Sequence, residues 1–378
     1  MIAQPLLASI AARAADTERA RRLPADLAAD LAAAGAFRML VPRSLGGAET
    51  DVARLFDSLE QLGRADAATG WCVMIGGTTA LISAWLPMDH AREIWADADV
   101  ITGGVFAPMG RAAVEGDAFR VSGRWAWASG SANCSWLLGG AVIMDGAEMR
   151  RLATGAPDHR MMVMRRQDVE LIDTWDALGL RGTGSGDMAA RDVAVPQGRS
   201  VSFITDTPRE DGPLYRFAPF GLLALGIAAV ASGNALGALD DLKALAVAKK
   251  GQGSSRSLAE RGVVQAEFAM AQADLDAARA LVQAQIAAAW DQVVAGDALD
   301  LVARARLRLA ATRLTQVAAR VAAKMHELAG GTSVYASHPL GRRFRDAHVA
   351  TQHVMVAPPT LELAGRVLLG LPADASML

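Results

Sequence analysis

A chain of 378 residues can bury a large core, form two or three sub-domains and enclose a cavity. Lys and Arg number 38 against 40 Asp and Glu, so no global field draws in nucleic acid or an anionic membrane, and a small, roughly neutral partner is the default. The two cysteines, Cys72 and Cys134, are far apart in apolar surroundings, which suits reduced core thiols of a cytoplasmic protein rather than a disulfide framework.

The Ala-rich start, Met1 to Ala15, carries Arg13 as its one charge and is followed at once by Asp16 and Glu18, so it reads as an ordinary first helix and not a transit peptide. From Leu23 to Trp95 the pattern is helical, with Pro24 suited to a first turn, Leu27 and Leu31 on one face, and Gly35 at the exit. After the turn formers of Pro42 to Gly47, a helix begins at Thr50 or Asp51 and stops near Gly63. An apolar helix from Ala68 to Leu86 ends at Pro87, and Met88 to Trp95 forms a short amphipathic piece. Beyond Val100 short β-like runs take over: Ala113-Val114, a turn at Glu115-Gly116-Asp117, Phe119 to Trp127, then Leu137 to Met144, Met161 to Met164, Val169 to Ile172 and Met188 to Val195. After Pro213 helices return over Phe220 to Lys250, Ser257 to Val294, Ala298 to Leu328, and Arg342 to Leu369 with a break at Pro358-Pro359, which reads as a four-helix bundle. The windows Ala67 to Met88 and Phe217 to Leu239 lack charge, but they hold polar residues such as Thr78, Ser232 and Asn234 without a polybasic flank or aromatic belt, so buried helices are expected and no membrane span. The expected organisation is α+β, with an N-terminal helical domain at 1–98, a central β domain at 99–212 and the bundle at 213–378.

Four local motifs in this order resemble the acyl-CoA dehydrogenase superfamily over nearly the whole chain. They are Phe37-Arg38-Met39-Leu40-Val41-Pro42 with Leu45-Gly46-Gly47; Val121 through Trp127-Ala128-Ser129-Gly130-Ser131; Trp175 with Leu178 through Ser185, followed by Asp192 to Pro196; and Leu328-Ala329-Gly330-Gly331 with Phe344-Arg345-Asp346-Ala347. The resemblance implies an acyl-CoA dehydrogenase-like fold whose middle domain is a β-barrel or sandwich, and a flavin cofactor. Hydroxyls and backbone amides in tight Gly-containing loops suit the flavin ring edge, which needs fixed hydrogen bonds. By resemblance Trp127, Ser129, Ser131, Thr183 and Ser185 would face the flavin, while Arg256 and Gln265 match positions that reach its phosphate or adenosine part. Without the resemblance, Gly179 to Gly186 is a turn cluster and Arg256 a helix-start charge. Asp187 stands where a dinucleotide fingerprint needs its last glycine, and a strand follows instead of a helix.

A dehydrogenase of this superfamily needs a carboxylate to remove the proton α to a thioester. One family position for that base falls on Val354, and from His348 to Leu361 there is no Asp or Glu; the other lies in Phe217 to Leu239, which is equally free of acids. Histidines stand in the C-terminal segment instead: His338, His348 and His353. Together with Ser129-Gly130-Ser131 they resemble the branch of two-component (group D) monooxygenases. That implies catalysis by His353 with Ser129 or Ser131, a substrate contact at His338 and His353, and oxygen carried as a flavin C4a-hydroperoxide in a dry cavity. His353 is expected to act as acid/base because an imidazole titrates near working pH. The small residues at Gly76 to Thr78 are expected to enlarge the cavity for a bulkier substrate.

The leading expectation is therefore an oxygenase that takes FADH2 or FMNH2 from a separate NAD(P)H:flavin reductase, since no nicotinamide-binding βαβ unit is visible, and uses O2 to hydroxylate an aromatic, indole-like or polyketide-type small molecule. The resemblance also implies a homotetramer. An acyl-CoA dehydrogenase or oxidase with a displaced base is the alternative, and a catalytically silent scaffold the third reading.

Overall fold

A computed structural model describes residues 2–250 and 255–378. Five helices come first: α1 (Gln4–Ala20), α2 (Ala25–Ala33), α3 (Val52–Ala65), α4 (Ala67–Thr79) and α5 (Met88–Trp95). Carboxylates start α3 and α4. Asp51 accepts the Arg54 amide at 2.9 Å, and Asp66 accepts the Thr69 amide at 2.9 Å and its hydroxyl at 2.7 Å, satisfying donors that a helix start leaves open. The apolar run read as one helix to Leu86 instead tightens into a 3-10 turn over Ala80–Ala84. Just before it the Thr78 and Thr79 hydroxyls donate back to the carbonyls of Met74 and Ile75 at 2.7 and 2.6 Å, a competition that disturbs regular α pitch.

The middle of the chain is one continuous eight-stranded sheet: β1 (Thr102–Glu115), β2 (Ala118–Trp125), β3 (Trp136–Asp145), β4 (Glu148–Met149), β5 (His159–Arg165), β6 (Glu170–Ile172), β7 (Asp187–Pro196) and β8 (Ser200–Val201). The strand order is β6-β7-β2-β1-β3-β5-β8 with β4 on β3, and only β1 with β3 is parallel. β2 ends at Trp125, two residues before the end read from the sequence. The fully buried Trp125 lies across three glycines, Gly110, Gly123 and Gly139, where any Cβ would overlap its indole, and its Nε1 donates to Gly140 O at 2.7 Å. Those glycines are a slot for one ring and not turn signals.

The C-terminal part holds α6 (Pro213–Arg216), α7 (Pro219–Ala248), α8 (Gly262–Val294), α9 (Leu301–Ala329), α10 (Pro339–Ala350) and α11 (Pro359–Leu368). Every residue of α7 from Phe220 to Ala235 is buried. Among the described residues, the two stretches apolar and long enough to cross a membrane, Ala67–Ala84 and Pro219–Ala248, each have an 18-residue window that is 94% buried inside the protein, as in core helices. α3 approaches α7 so closely that a Cβ on Gly63 would sit 2.5 Å from Val230 O. At this crossing the buried Glu60 accepts from the Ser232 hydroxyl at 2.5 Å and from Arg279 of α8 at 2.7 and 2.8 Å. The fourth arm of the bundle is split into α10 and α11, and residues 351–358 between them form an irregular segment that carries His353.

Candidate functional site

Segments far apart in sequence meet against α4. The loop after β2 and the loop before β7 are stitched together by Ala128 N–H to Gly186 O at 2.9 Å and Gly130 N–H to Thr183 O at 2.8 Å. Inside this seam runs a line of buried polar groups. Trp71 Nε1 donates to Ser129 Oγ at 3.2 Å; Ser129 Oγ lies 2.6 Å from Ser185 Oγ, which lies 2.5 Å from Thr183 Oγ1; and Thr183 Oγ1 donates to Leu180 O at 2.7 Å. The ends fix the direction of the whole line, because an indole N–H only donates and a carbonyl only accepts. Thr183 spends its proton on Leu180, Ser185 spends its own on Thr183, and Ser129 its own on Ser185. Every hydroxyl proton is committed inward, so Ser129 offers any outside partner a lone pair. Ser131 is buried in the turn that follows and takes no part in the line.

His353 also packs against Trp71, ring centroids 5.8 Å apart at 64°. Its Nδ1 accepts the Met355 amide at 3.2 Å, which places the ring proton on Nε2. Burial first, and then the positive charge of Arg308, lower its pKa to about 4. The half-buried imidazole is therefore neutral in the working range, with Nε2–H as a donor. This narrows the acid/base part expected from the sequence: the nitrogen that could take a proton already faces an amide. Since an unfolded histidine titrates near 6.5, the unfolded chain binds a proton that the folded chain does not between about pH 6.5 and 4, and this group lowers stability as pH falls through that window.

Two buried carboxylates flank the seam, and both are turned to the backbone. Asp66 caps α4, and Asp346 of α10 accepts the Leu180 amide at 2.6 Å. Burial pushes Asp346 up to about 7. With an unfolded value near 3.8, the folded chain holds the extra proton between those two pH values, so stability falls as pH rises through that window, by on the order of a few kcal/mol. Asp346→Asn keeps an acceptor for Leu180 and removes the charge. It is expected to raise the unfolding midpoint at pH 8 and to change it little at pH 5; equal shifts at both pH values would show that no buried charge is carried there.

The other expected site residues are placed as follows. Trp127 is 62% exposed, with a left-handed backbone (φ +66°) that turns its indole outward at the end of β2. His338 caps α10, its Nδ1 accepting the Leu340 amide at 3.4 Å, and the length of α10, roughly 18 Å, stands between it and His353. His348 is exposed against Phe344 at 4.6 Å. Arg256 and Gln265 are exposed near the start of α8, Gln265 donating to Ala259 O at 2.9 Å, and neither belongs to the buried line. The cavity expected from the small residues of α4 is in part already filled: a Cβ on Gly76 would meet the Phe37 ring at 2.6 Å and Thr102 O at 3.1 Å, so this glycine accommodates Phe37. The residue that joins Ser129 to His353, Trp71, carries no polar signal inside an apolar helix. As a set, an acceptor lone pair on Ser129, an outward indole and an imidazole N–H fit the edge of a flavin ring, which presents N–H groups and carbonyl oxygens.

Family models match both helical ends of the chain, the acyl-CoA dehydrogenase N-terminal domain over residues 2–88 and the acyl-CoA dehydrogenase C-terminal domain over residues 225–358. The chain is 32% identical over 362 residues to indole-3-acetate monooxygenase of Pseudomonas putida, covering 95% of this chain and 90% of that one. It is 31% identical over 388 residues to the oxygenase subunit HsaA, a flavin-dependent monooxygenase of Rhodococcus jostii, covering 98% of each. The fold matches that of XiaF from Streptomyces sp., solved with FADH2 and glycerol, with a TM-score of 0.87 at 25% identity over 96% of this chain and 92% of that one. The chain belongs to the acyl-CoA dehydrogenase superfamily, in its branch of two-component flavin-dependent monooxygenases. It is an oxidoreductase, the oxygenase component, using reduced flavin and O2.

Proposed function

We propose that this oxygenase hydroxylates an indole-like or related aromatic small molecule, with Ser129 at the flavin's N5 edge and His353 Nε2–H directed at the reacting oxygen and substrate. The observation that carries this reading is the Ser129–Trp71–His353 arrangement, which sets a hydroxyl and an imidazole against one indole, with both nearby carboxylates committed elsewhere. Bound reduced flavin supplies the activation of oxygen. The protein's part is to hold a donor where negative charge develops and to keep that donor neutral and partly dry. The indole-3-acetate monooxygenase relative favours a bicyclic substrate over a simple phenol. Thr183 and Ser185 serve as positioning residues for Ser129, and Trp127 as an outer wall of the flavin site. The test is aerobic reaction of the full chain with FADH2 or FMNH2 and a panel of indoles, phenols and fused aromatics. Gain of one oxygen atom by an indole-class compound is expected; a 2-enoyl thioester released from an acyl-CoA would overturn the reading.

The enzyme is further proposed to act in the cytoplasm as a homotetramer, joined through α8, whose exposed face repeats Ala266, Met270, Ala273, Ala277, Leu281 and Ala284 at helical spacing. Sedimentation should give four copies for the parent and fewer for Leu281→Glu; a monomeric parent would sink this assembly.

A further inference from the structure

Arg308 of α9 is 4% exposed, and among the described residues no carboxylate lies within ion-pair distance of it. Its partners are neutral oxygens. One terminal nitrogen donates to Met355 O at 3.1 Å and lies 3.5 Å from Thr360 Oγ1, the other donates to Met377 O, and Nε has no partner among the described residues. One turn earlier Arg304 donates to Ala375 O at 2.9 Å and to Leu378 O at 2.7 Å. Burial alone lowers the Arg308 guanidinium to about 10. A buried cation without a counter-ion is costly, and an apolar residue of similar size would avoid the cost, so filling space does not account for an arginine here. Its position does. Met355, held by its carbonyl on Arg308, is the residue whose amide meets His353 Nδ1.

We propose that Arg308 is a positioning residue for His353: by pinning Met355 it fixes the imidazole in its Nε2–H form. The groups that face His353 are few. Trp71 of α4 is uncharged, and Arg308 of α9 is the one charged group that shifts His353 among the described residues. The same guanidinium ties the C-terminal residues to this segment, so the tail is part of the support of the site. For its effect on turnover the inference rests on the role given to His353 above; its structural test does not.

The test is nuclear magnetic resonance of the full chain with isotope-labelled histidine, His353→Phe identifying the signal. In the parent, His353 is expected to stay in the Nε2–H form down to about pH 4. In R308Q its titration is expected to move upward and its tautomers to mix, and the fraction of oxygen recovered in product to fall while the KM for reduced flavin is unchanged. In R308K the charge is kept and the double clamp is not, so the titration should stay low while the Met355 amide loses its protection from hydrogen exchange. A folded R308Q with the parent's titration and tautomer overturns the proposal. If R308Q does not fold, R308K decides alone, and parent-like protection of Met355 in it is equally fatal. Altered titration in R308Q with unchanged oxygen use would support the Arg308 role and overturn the catalytic role of His353.

Discussion

His353→Phe is expected to lower hydroxylated product by about 100- to 1,000-fold while oxidation of the reduced flavin continues and the oxygen is recovered as hydrogen peroxide. Phenylalanine keeps a ring against Trp71 and removes the Nε2–H together with the Nδ1 acceptor of the Met355 amide, while Ser129 and its line are untouched, so binding of reduced flavin should be close to that of the parent. The effect is assigned to a donor and not to a base because of two features of the ring. Its Nδ1 is already occupied by the Met355 amide, and the imidazole takes up a second proton only below about pH 4. The pH dependence separates the alternatives. With a donor, coupling in the parent shows no limb near the ordinary histidine value. A limb near pH 6.5 that vanishes in His353→Phe would mean that the ring titrates during turnover, and the donor assignment would have to be given up.

Thr183→Val is expected to erode the discrimination between reduced and oxidised flavin. A reduced flavin carries a hydrogen on N5 where the oxidised ring has a lone pair, and the line from Trp71 to Leu180 leaves Ser129 able to accept but not to donate. The parent should therefore bind the reduced form more tightly. Removing the Thr183 hydroxyl takes away the acceptor that fixes Ser185; Ser185 can then donate to Ser129, which frees the Ser129 proton to point outward. The ratio of dissociation constants for oxidised and reduced flavin should shrink by about tenfold, the worth of one hydrogen bond turned from mismatch to match. Ser129→Ala should shrink it as well, chiefly by weakening the reduced form. Anaerobic titration measures both, and an unchanged ratio in both variants would remove Ser129 from N5.

Much of the architecture could be read from the chain because its signals are local. Helical periodicity marked the N-terminal and C-terminal helices, and Pro87 marked the end of the apolar run. β1 was the main underestimate. Gly103, Gly104, Pro108 and Gly110 look like turn formers, yet they lie in a strand of 14 residues, where the glycines allow the Leu138 backbone and the Trp125 ring to come close. The absence of acids around Val354 and along the first turns of α7 was legible without any coordinates, and it pointed to oxygen chemistry. Trp71 was not legible, since an indole inside a run of buried apolar residues has the signature of core. Arg308 was hidden for the opposite reason: in Leu307-Arg308-Leu309 a cation reads as the solvent side of a helix, and only the fold of the C-terminal residues over it shows otherwise. The difference between base and donor at His353 depends on which ring nitrogen meets an amide two residues on, a matter of loop geometry.

All three hydroxyls of the Ser129 line come from the β section, between residues 129 and 185, whereas Trp71 belongs to the helices before it and His353 to the irregular segment between α10 and α11 after it. Exchanging the β section with that of a relative would thus transplant the serines and the threonine as an intact unit, and the contacts to be re-made across its boundaries include the Leu180 amide on Asp346 and, within the line itself, one indole-to-hydroxyl bond. Chimeras that preserve that bond would inherit the redox preference of the donor of the β section, while the imidazole would stay with the recipient.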